Sequence, residues 1–523
     1  MKNKIIKSED PALETANNSD IDQSLKLVAR SSIIIFAGII ISKILTYIYR
    51  IIIARQFGPE IYGVFSLILM MIGFLTPFIN LGLNEGLLRF IPQWRGKNET
   101  KKIEYATSFS TKFILLNSII ISGILFLLAD FISITLFKEP QLTPFTQIVA
   151  VFLIFMVFSR FLLIIIRSYE YVVIHTLLEK IIMTSIHVLF LILLISIGLN
   201  SDSIIYSYVA GFIIVTIISY IYINKIIKLK FHSNIDDSEK KTIRKELLFY
   251  SIPIMFSGII TVMFTWVDTF FIGYFLGTKD VGIYNAAVPI ATLMLITQEI
   301  FLHLLYPIFN REFSKDNIKN IDNLSKQVTK WIFMINLPIL LFVLIYPHYI
   351  INLLFGPEYV QASNSLRILS IGVFLSSIFY VSQRLILVKG KSKILFWDLF
   401  YTSILNIILN IILTPKLGIN GAAFATTFSW IILSLLWIYQ TKKYLNIVPL
   451  RRKMLNISLV SIIPFLFLIY IGRIIKINNL SIVLIFITYI LLYYLLLLMT
   501  KCLDKNDITI LKAFTMKIFK TRS

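Results

Sequence analysis

Apolar runs of about 20 residues, broken by short polar stretches, follow one another from residue 28 to residue 500. A hydrocarbon core about 30 Å thick asks for helical runs of that length. The runs are continuous rather than alternating, and a helix satisfies its backbone hydrogen bonds within a single run, so the pattern predicts helices and not a barrel. Fourteen spans are expected, over 28–54, 64–91, 107–133, 145–167, 174–199, 203–224, 246–275, 282–310, 331–355, 363–388, 394–415, 418–441, 454–475 and 480–500. The expected fold class is an all-α polytopic membrane protein.

The pattern also repeats. Phe57-Gly-Pro-Glu-Ile-Tyr-Gly-Val-Phe65 joins two apolar runs, and Leu276-Gly-Thr-Lys-Asp-Val-Gly-Ile-Tyr284 does the same 219 positions later, with Gly58 matching Gly277 and Gly63 matching Gly282. The same offset carries Asn117 onto Asn336, Glu179 onto Asp398 and His187 onto Asn406, while Leu-Phe-Lys-Glu-Pro at 136–140 lies about 218 residues from Leu-Phe-Gly-Pro-Glu at 354–358. Duplication at shared depth marks a two-lobed transporter in which one lobe rocks against the other around a site near the midplane. The expected organisation is a cytoplasmic tail (1–27), an N-lobe of six helices (28–224), a cytoplasmic linker (225–245), a C-lobe of six helices (246–442), and a last helix pair with a basic tail (443–523).

Composition and charge refine this. With 57% hydrophobic and 15% charged residues, no soluble fold can cover the apolar surface. The formal charge of +22 is dispersed over many short loops, which argues against nucleic acid and for topology and attraction to anionic lipid. Lys2, Lys4, Lys7, Arg95, Lys97, Lys101, Lys102, Lys225 to Lys245, Arg311 to Lys330, Lys389, Lys391, Lys393, Lys442 to Lys453 and Lys501 to Arg522 fall on one side, against Arg55, Lys138, Lys279, Lys416, Arg473 and Lys476 on the other. The positive-inside rule then puts both termini in the cytoplasm of a plasma-membrane protein. Residues 1–27 read as an unstructured tail without a cleavable signal, and Ile508, Leu511, Phe514, Ile518 and Phe519 among lysines read as an amphipathic helix on the inner leaflet. A lone Cys502 excludes an intramolecular disulfide and cysteine metal clusters, and no Walker A sequence is present. No cofactor, metal or catalytic residue is expected.

Ionisable residues within spans are costly in hydrocarbon and normally face a cavity or a partner. Lys112, Asp130, Arg167, Glu179, Lys180 and Asp398 lie near helix ends and suit anchoring, and Glu85 with Arg89 suits a local ion pair. Deeper are Lys43, Arg50, Arg160, His187, Asp268, Glu299 and His303. Lys43, Arg50 and Arg160, with Arg384, form a cationic set suited to the phosphates of a lipid head. Asn406 and Asn410, four apart, suit either hydroxyl-rich sugars or helix–helix hydrogen bonds. Glu299 and His303 share a helical face and are the expected ion-coupling pair. Arg50 and Asp268 lie eight and nine residues before the matched Gly58 and Gly277, which suggests an ion-pair gate between the lobes.

Ala54-Arg-Gln-Phe-Gly-Pro-Glu-Ile-Tyr-Gly63, Asp268 followed by Phe-Phe-Ile-Gly-Tyr-Phe-Leu-Gly277, and Pro415-Lys-Leu-Gly-Ile-Asn-Gly-Ala-Ala423 resemble the polysaccharide transporter, or Wzx-like flippase, branch of the multidrug/oligosaccharidyl-lipid/polysaccharide exporter superfamily. The resemblance covers about residues 25 to 500. It implies two six-helix lobes, an extra helix pair, a cationic central cavity and movement of a polyprenyl-linked oligosaccharide to the outer leaflet. Its implied partners are the lipid-linked oligosaccharide, membrane lipids and a glycan polymerase or ligase. A multidrug cation antiporter of the superfamily would more naturally have twelve helices and an acid on its first helix. A membrane glycosyltransferase needs a roomy loop with catalytic carboxylates, and a scaffold would move no substrate.

Overall fold

The computed structural model describes residues 11–228, 235–475, 477–500 and 502, and the side chains of these apart from 11–36, 226, 302–305 and 307. The C-terminal amphipathic segment expected around Ile508 lies outside the described residues. The described chain is helical throughout, with thirteen segments long and apolar enough to cross a bilayer. The first of them, Ala37–Asn80, has 44 residues. At about 1.5 Å per residue it would be roughly 66 Å long, twice a hydrocarbon core. Gly58 interrupts it with φ +78° and ψ 178°, outside the helical region, so it is two spans and the total is the expected fourteen. The helix begins at Pro11, in place of the unstructured tail expected up to residue 27.

Glycine followed by a helix start is the recurrent turn at the cation-poor end. Gly58-Pro59-Glu60 and Gly356-Pro357-Glu358 share sequence and conformation, the latter glycine having φ +108° and ψ 174°. Proline then fits the first helical position, where its missing N–H costs nothing. Gly277 turns in the same way before Thr278–Thr292.

Several spans differ from expectation in being broken. The second, expected to continue to residue 91, ends at Asn80, turns through Leu81 and Gly82 at positive φ, and resumes as Leu83–Gly96. A Cβ on Gly82 would lie 2.2 Å from the Ser251 carbonyl oxygen, so a close helix approach holds the break, which an uninterrupted apolar run conceals. The eighth span divides into Thr278–Thr292 and Leu295–Ser314, and the ninth into Ile318–Ile345 and Pro347–Leu354.

Packing gathers the chain into two bodies. Of the described residues, the first comprises those up to Tyr49, Phe78–Ile124 and those of Val149–Met255, and the second comprises Arg50–Pro77, Leu125–Ile148 and those from Phe256 onward. The second body therefore contains the cation-poor portions of first-repeat helices alongside the second repeat. There the matched glycines meet: a Cβ on Gly63 would fall 1.8 Å from the Thr278 carbonyl oxygen, and one on Gly282 would fall 1.9 Å from that of Pro59. Only bare backbones cross this closely. Around the crossing Tyr62 donates to the Asn285 carbonyl at 3.1 Å, Tyr359 to that of Ala54 at 3.0 Å, and Thr278 to Glu139 at 2.6 Å. Arg55 Nε donates to Leu354 O at 2.9 Å, satisfying the carbonyl end of Pro347–Leu354 and its negative dipole. The last pair, Lys453–Ile474 and Asn479–Met499, packs on Ile318–Leu354 through Phe342, Tyr346, Leu468, Ile482 and Tyr489.

Candidate functional site

Within the second body, four helices bring polar side chains to one buried carboxylate. Asp268, only 6% exposed, projects from Asp237–Phe275. Helix Ser392–Leu417 offers Asn406, Asn410 and Thr414, whose spacing of four aligns them on a single face. Gly418, at φ +61°, turns the chain back into Ile419–Leu445, and Gly421 packs so closely on the Leu413 carbonyl that a Cβ would lie 2.2 Å away. That tight reversal sets Thr426 against the asparagine face.

Both carboxylate oxygens are engaged. The Thr426 hydroxyl lies 2.6 Å from Asp268 Oδ1 and 2.7 Å from Oδ2, and its one proton serves only one of them. Asn410 Nδ2 donates to Oδ1 at 2.9 Å, and the Tyr284 hydroxyl donates to Oδ2. Behind these, Asn410 Nδ2 is 2.9 Å from Asn406 Oδ1, Thr414 donates to Asn410 Oδ1 at 3.1 Å, and Asn406 Nδ2 is 3.2 Å from Thr426 Oγ1.

Among the described residues, no lysine, arginine or histidine pairs with Asp268; its partners are neutral. A buried carboxylate held only by neutral donors carries an uncompensated charge, which is expensive in a low-dielectric interior. The carboxylate lies with the Thr426 and Tyr284 hydroxyls and the Asn406 amide oxygen, while Asn410 turns its amide nitrogen to it; hard oxygen ligands of this kind suit a small cation. One carboxylate balances one positive charge. Among the described residues no three His, Cys, Asp or Glu side chains come together.

The residues expected from sequence fall in several places. Asp268, Asn406 and Asn410 are brought together, although sequence put them in different roles. Arg50 is half-buried and lies beside the Tyr62 hydroxyl, not on Asp268, so the expected Arg50–Asp268 pair is not formed in this conformation. Lys43 and Arg160 are exposed in the first body, Arg160 over the Phe212 ring at 5.9 Å. Arg384, in the second, bonds the Tyr380 hydroxyl at 2.6 Å and leaves its Nε without a hydrogen-bond partner. Among the described residues none of Lys43, Arg160 and Arg384 is locked in an ion pair with a carboxylate. Glu299 is half-buried on Leu295–Ser314, and the side chain of His303 lies outside the described residues. Arg89 stacks on Tyr250 at 4.2 Å rather than pairing with Glu85.

Tyr284, Thr426 and Thr414 escaped the sequence reading. Hydroxyl residues are common in spans because they can bond their own helix, so they carry little signal alone. Tyr284 stood in plain view, two residues after the matched Gly282.

The family model for "Polysaccharide biosynthesis protein" matches residues 52–364, across both halves of the repeat. The chain belongs to this polysaccharide biosynthesis family. Within that setting it is 24% identical over 440 residues to an uncharacterized membrane protein of Methanocaldococcus jannaschii, covering 81% of this chain and 86% of the relative. It is 25% identical over 256 residues to a protein of Haloferax volcanii named "Probable low-salt glycan biosynthesis flippase Agl15", covering 49% of this chain and 52% of that one. Its fold matches the lipid II flippase MurJ in an inward closed conformation with a TM-score of 0.69 at 20% identity, covering 89% of this chain and 98% of that one. The polysaccharide-biosynthesis chain thus shares an all-α polytopic membrane fold with it.

Proposed function

We propose that this protein is a flippase that carries a polyprenyl-(di)phosphate-linked oligosaccharide from the inner to the outer leaflet by alternating access, for assembly of a cell-surface polysaccharide or glycoprotein glycan. The observation that supports it most is the family match over both repeats, joined by a relative named as a glycan flippase. The two lobes are residues 28–224 and 246–442, in a plasma membrane with both termini cytoplasmic. The cation-poor end is then the outer face, and the Gly63–Gly282 crossing is an outer seal that must part for release. Lys43, Arg50, Arg160 and Arg384 hold the phosphates of the lipid head, their charge being unspent on carboxylates in the case of Lys43, Arg160 and Arg384. A glycan polymerase or ligase on the outer face takes the product.

Transport needs no ATP and is driven by an ion gradient or by downstream consumption of the flipped glycan. Asp268, with Thr426, Asn406 and Asn410, is the coupling site for a monovalent cation, a role that sequence had given to Glu299 and His303. Occupancy there compensates the buried carboxylate and favours the conformation in which those oxygens converge.

The test uses purified protein in proteoliposomes with a fluorescent polyprenyl-diphosphate oligosaccharide, scored by the fraction that an external quencher reaches. Protein-dependent movement that rises with an imposed sodium gradient is expected. Failure to move any lipid-linked glycan, with gradient-driven export of organic cations instead, would overturn the reading in favour of a multidrug antiporter.

A further inference from the structure

The first body contains a second polar cluster that the function above leaves idle. Tyr49, 4% exposed, donates its hydroxyl to the Ile204 carbonyl at 2.8 Å and lies 3.0 Å from Ser207 Oγ. His187, 6% exposed, has its ring 5.9 Å from that of Tyr49, 4.8 Å from Tyr208 and 5.6 Å from Phe212. Its Nε2 takes no hydrogen bond and faces Gly211, where a Cβ would lie 2.3 Å away.

These positions are not arbitrary. Adding the repeat offset of 219 turns Tyr49 into Asp268, His187 into Asn406, Leu191 into Asn410 and Ser207 into Thr426. The Tyr49–Ser207 contact is thus the counterpart of Asp268–Thr426, on equivalent helices of the other repeat. Of the four, only the Thr426 hydroxyl is kept, as Ser207, while the carboxylate and both asparagines are matched by Tyr49, His187 and Leu191. The carboxylate became a phenol, which reaches further and caps a backbone carbonyl with its own proton. The two asparagines became an imidazole and a leucine. The phenol and imidazole pack on each other and on the Tyr208 and Phe212 rings, and among the described residues no Asp or Glu is bonded to them.

We infer that the first body contains the duplicate of the Asp268 cation site, closed by its own side chains, with the Tyr49 hydroxyl standing where carboxylate and ion would meet. The protein therefore binds one coupling cation per chain, and restoring the second repeat's residues opens a second site. This rests on the reading of Asp268 as a cation site.

Binding of radioactive sodium to the purified full-length protein tests it. Wild type should take up one sodium per chain and Asp268→Asn none. The fourfold variant Tyr49→Asp, His187→Asn, Leu191→Asn, Ser207→Thr should take up two, and one when combined with Asp268→Asn. A wild type binding two sodium ions overturns the inference while sparing the Asp268 site, as does a folded fourfold variant that still binds one. A wild type binding none removes the Asp268 site and the inference with it. Size-exclusion profile and unfolding temperature identify folded variants, and if the fourfold variant does not fold, the wild-type stoichiometry together with its loss in Asp268→Asn decides.

Discussion

Asp268 is a buried carboxylate whose hydrogen-bond partners are all neutral. Asp268→Asn keeps shape and removes the charge, so the cluster survives as a hydrogen-bonded network with nothing to attract a cation. Glycan transport should fall at least tenfold, about 1.4 kcal/mol of driving force or barrier, and what remains should no longer respond to a sodium gradient in proteoliposomes. The cationic set predicts a different signature. Lys43→Ala and Arg160→Ala should each raise KM several-fold with kcat nearly unchanged, because they attract ground and transition states alike. That penalty should shrink as ionic strength rises and screens the exposed charges. Sequence revealed which residues were costly but not what answered them. Asp268, Asn406 and Asn410 stood out as polar groups in apolar runs, whereas Thr426 became meaningful only once the Gly418 reversal set it against the asparagine face, and Tyr284 only once its own helix brought it to Asp268.

For the helices, hydropathy period and glycine spacing made most spans legible, since length and continuity are local properties. The breaks at Leu81–Gly82 and Leu293–Met294 were not, because each depends on what packs alongside and leaves the apolar run intact. The Gly63–Gly282 crossing sits between these cases: the repeat exposed both glycines, and the fold shows that they touch. Gly63→Ala or Gly282→Ala places a methyl group where a backbone oxygen lies. Overpacking of this kind costs about 1–3 kcal/mol, which should shift the opening of the outer seal by roughly 5- to 150-fold. Cysteine pairs placed across the seal on Gly63- and Gly282-flanking positions should crosslink readily in the parent and poorly in either alanine variant. Unchanged crosslinking would mean that the seal does not depend on the crossing.

The whole molecule carries its orientation in its loops. Replacing Cys502 by serine and placing single cysteines at Lys97 or Lys416 should yield labelling by a membrane-impermeant maleimide in intact cells at 416 only. Labelling at 97 would invert the topology.

The turn at Gly58 has a consequence for how the chain would enter the bilayer. An insertion machinery that reads apolar length meets 44 consecutive residues of helix from Ala37 to Asn80, interrupted by Arg55, Gln56 and Glu60 around one glycine with φ +78° and the proline after it. If that turn fails to form as the chain emerges, one crossing is lost and every later segment enters the bilayer with the wrong parity. The cationic loops would then be drawn back by the potential of the inner leaflet and resist the error. A single Gly-Pro step thus precedes more than four hundred residues whose sidedness would follow from whether it turns.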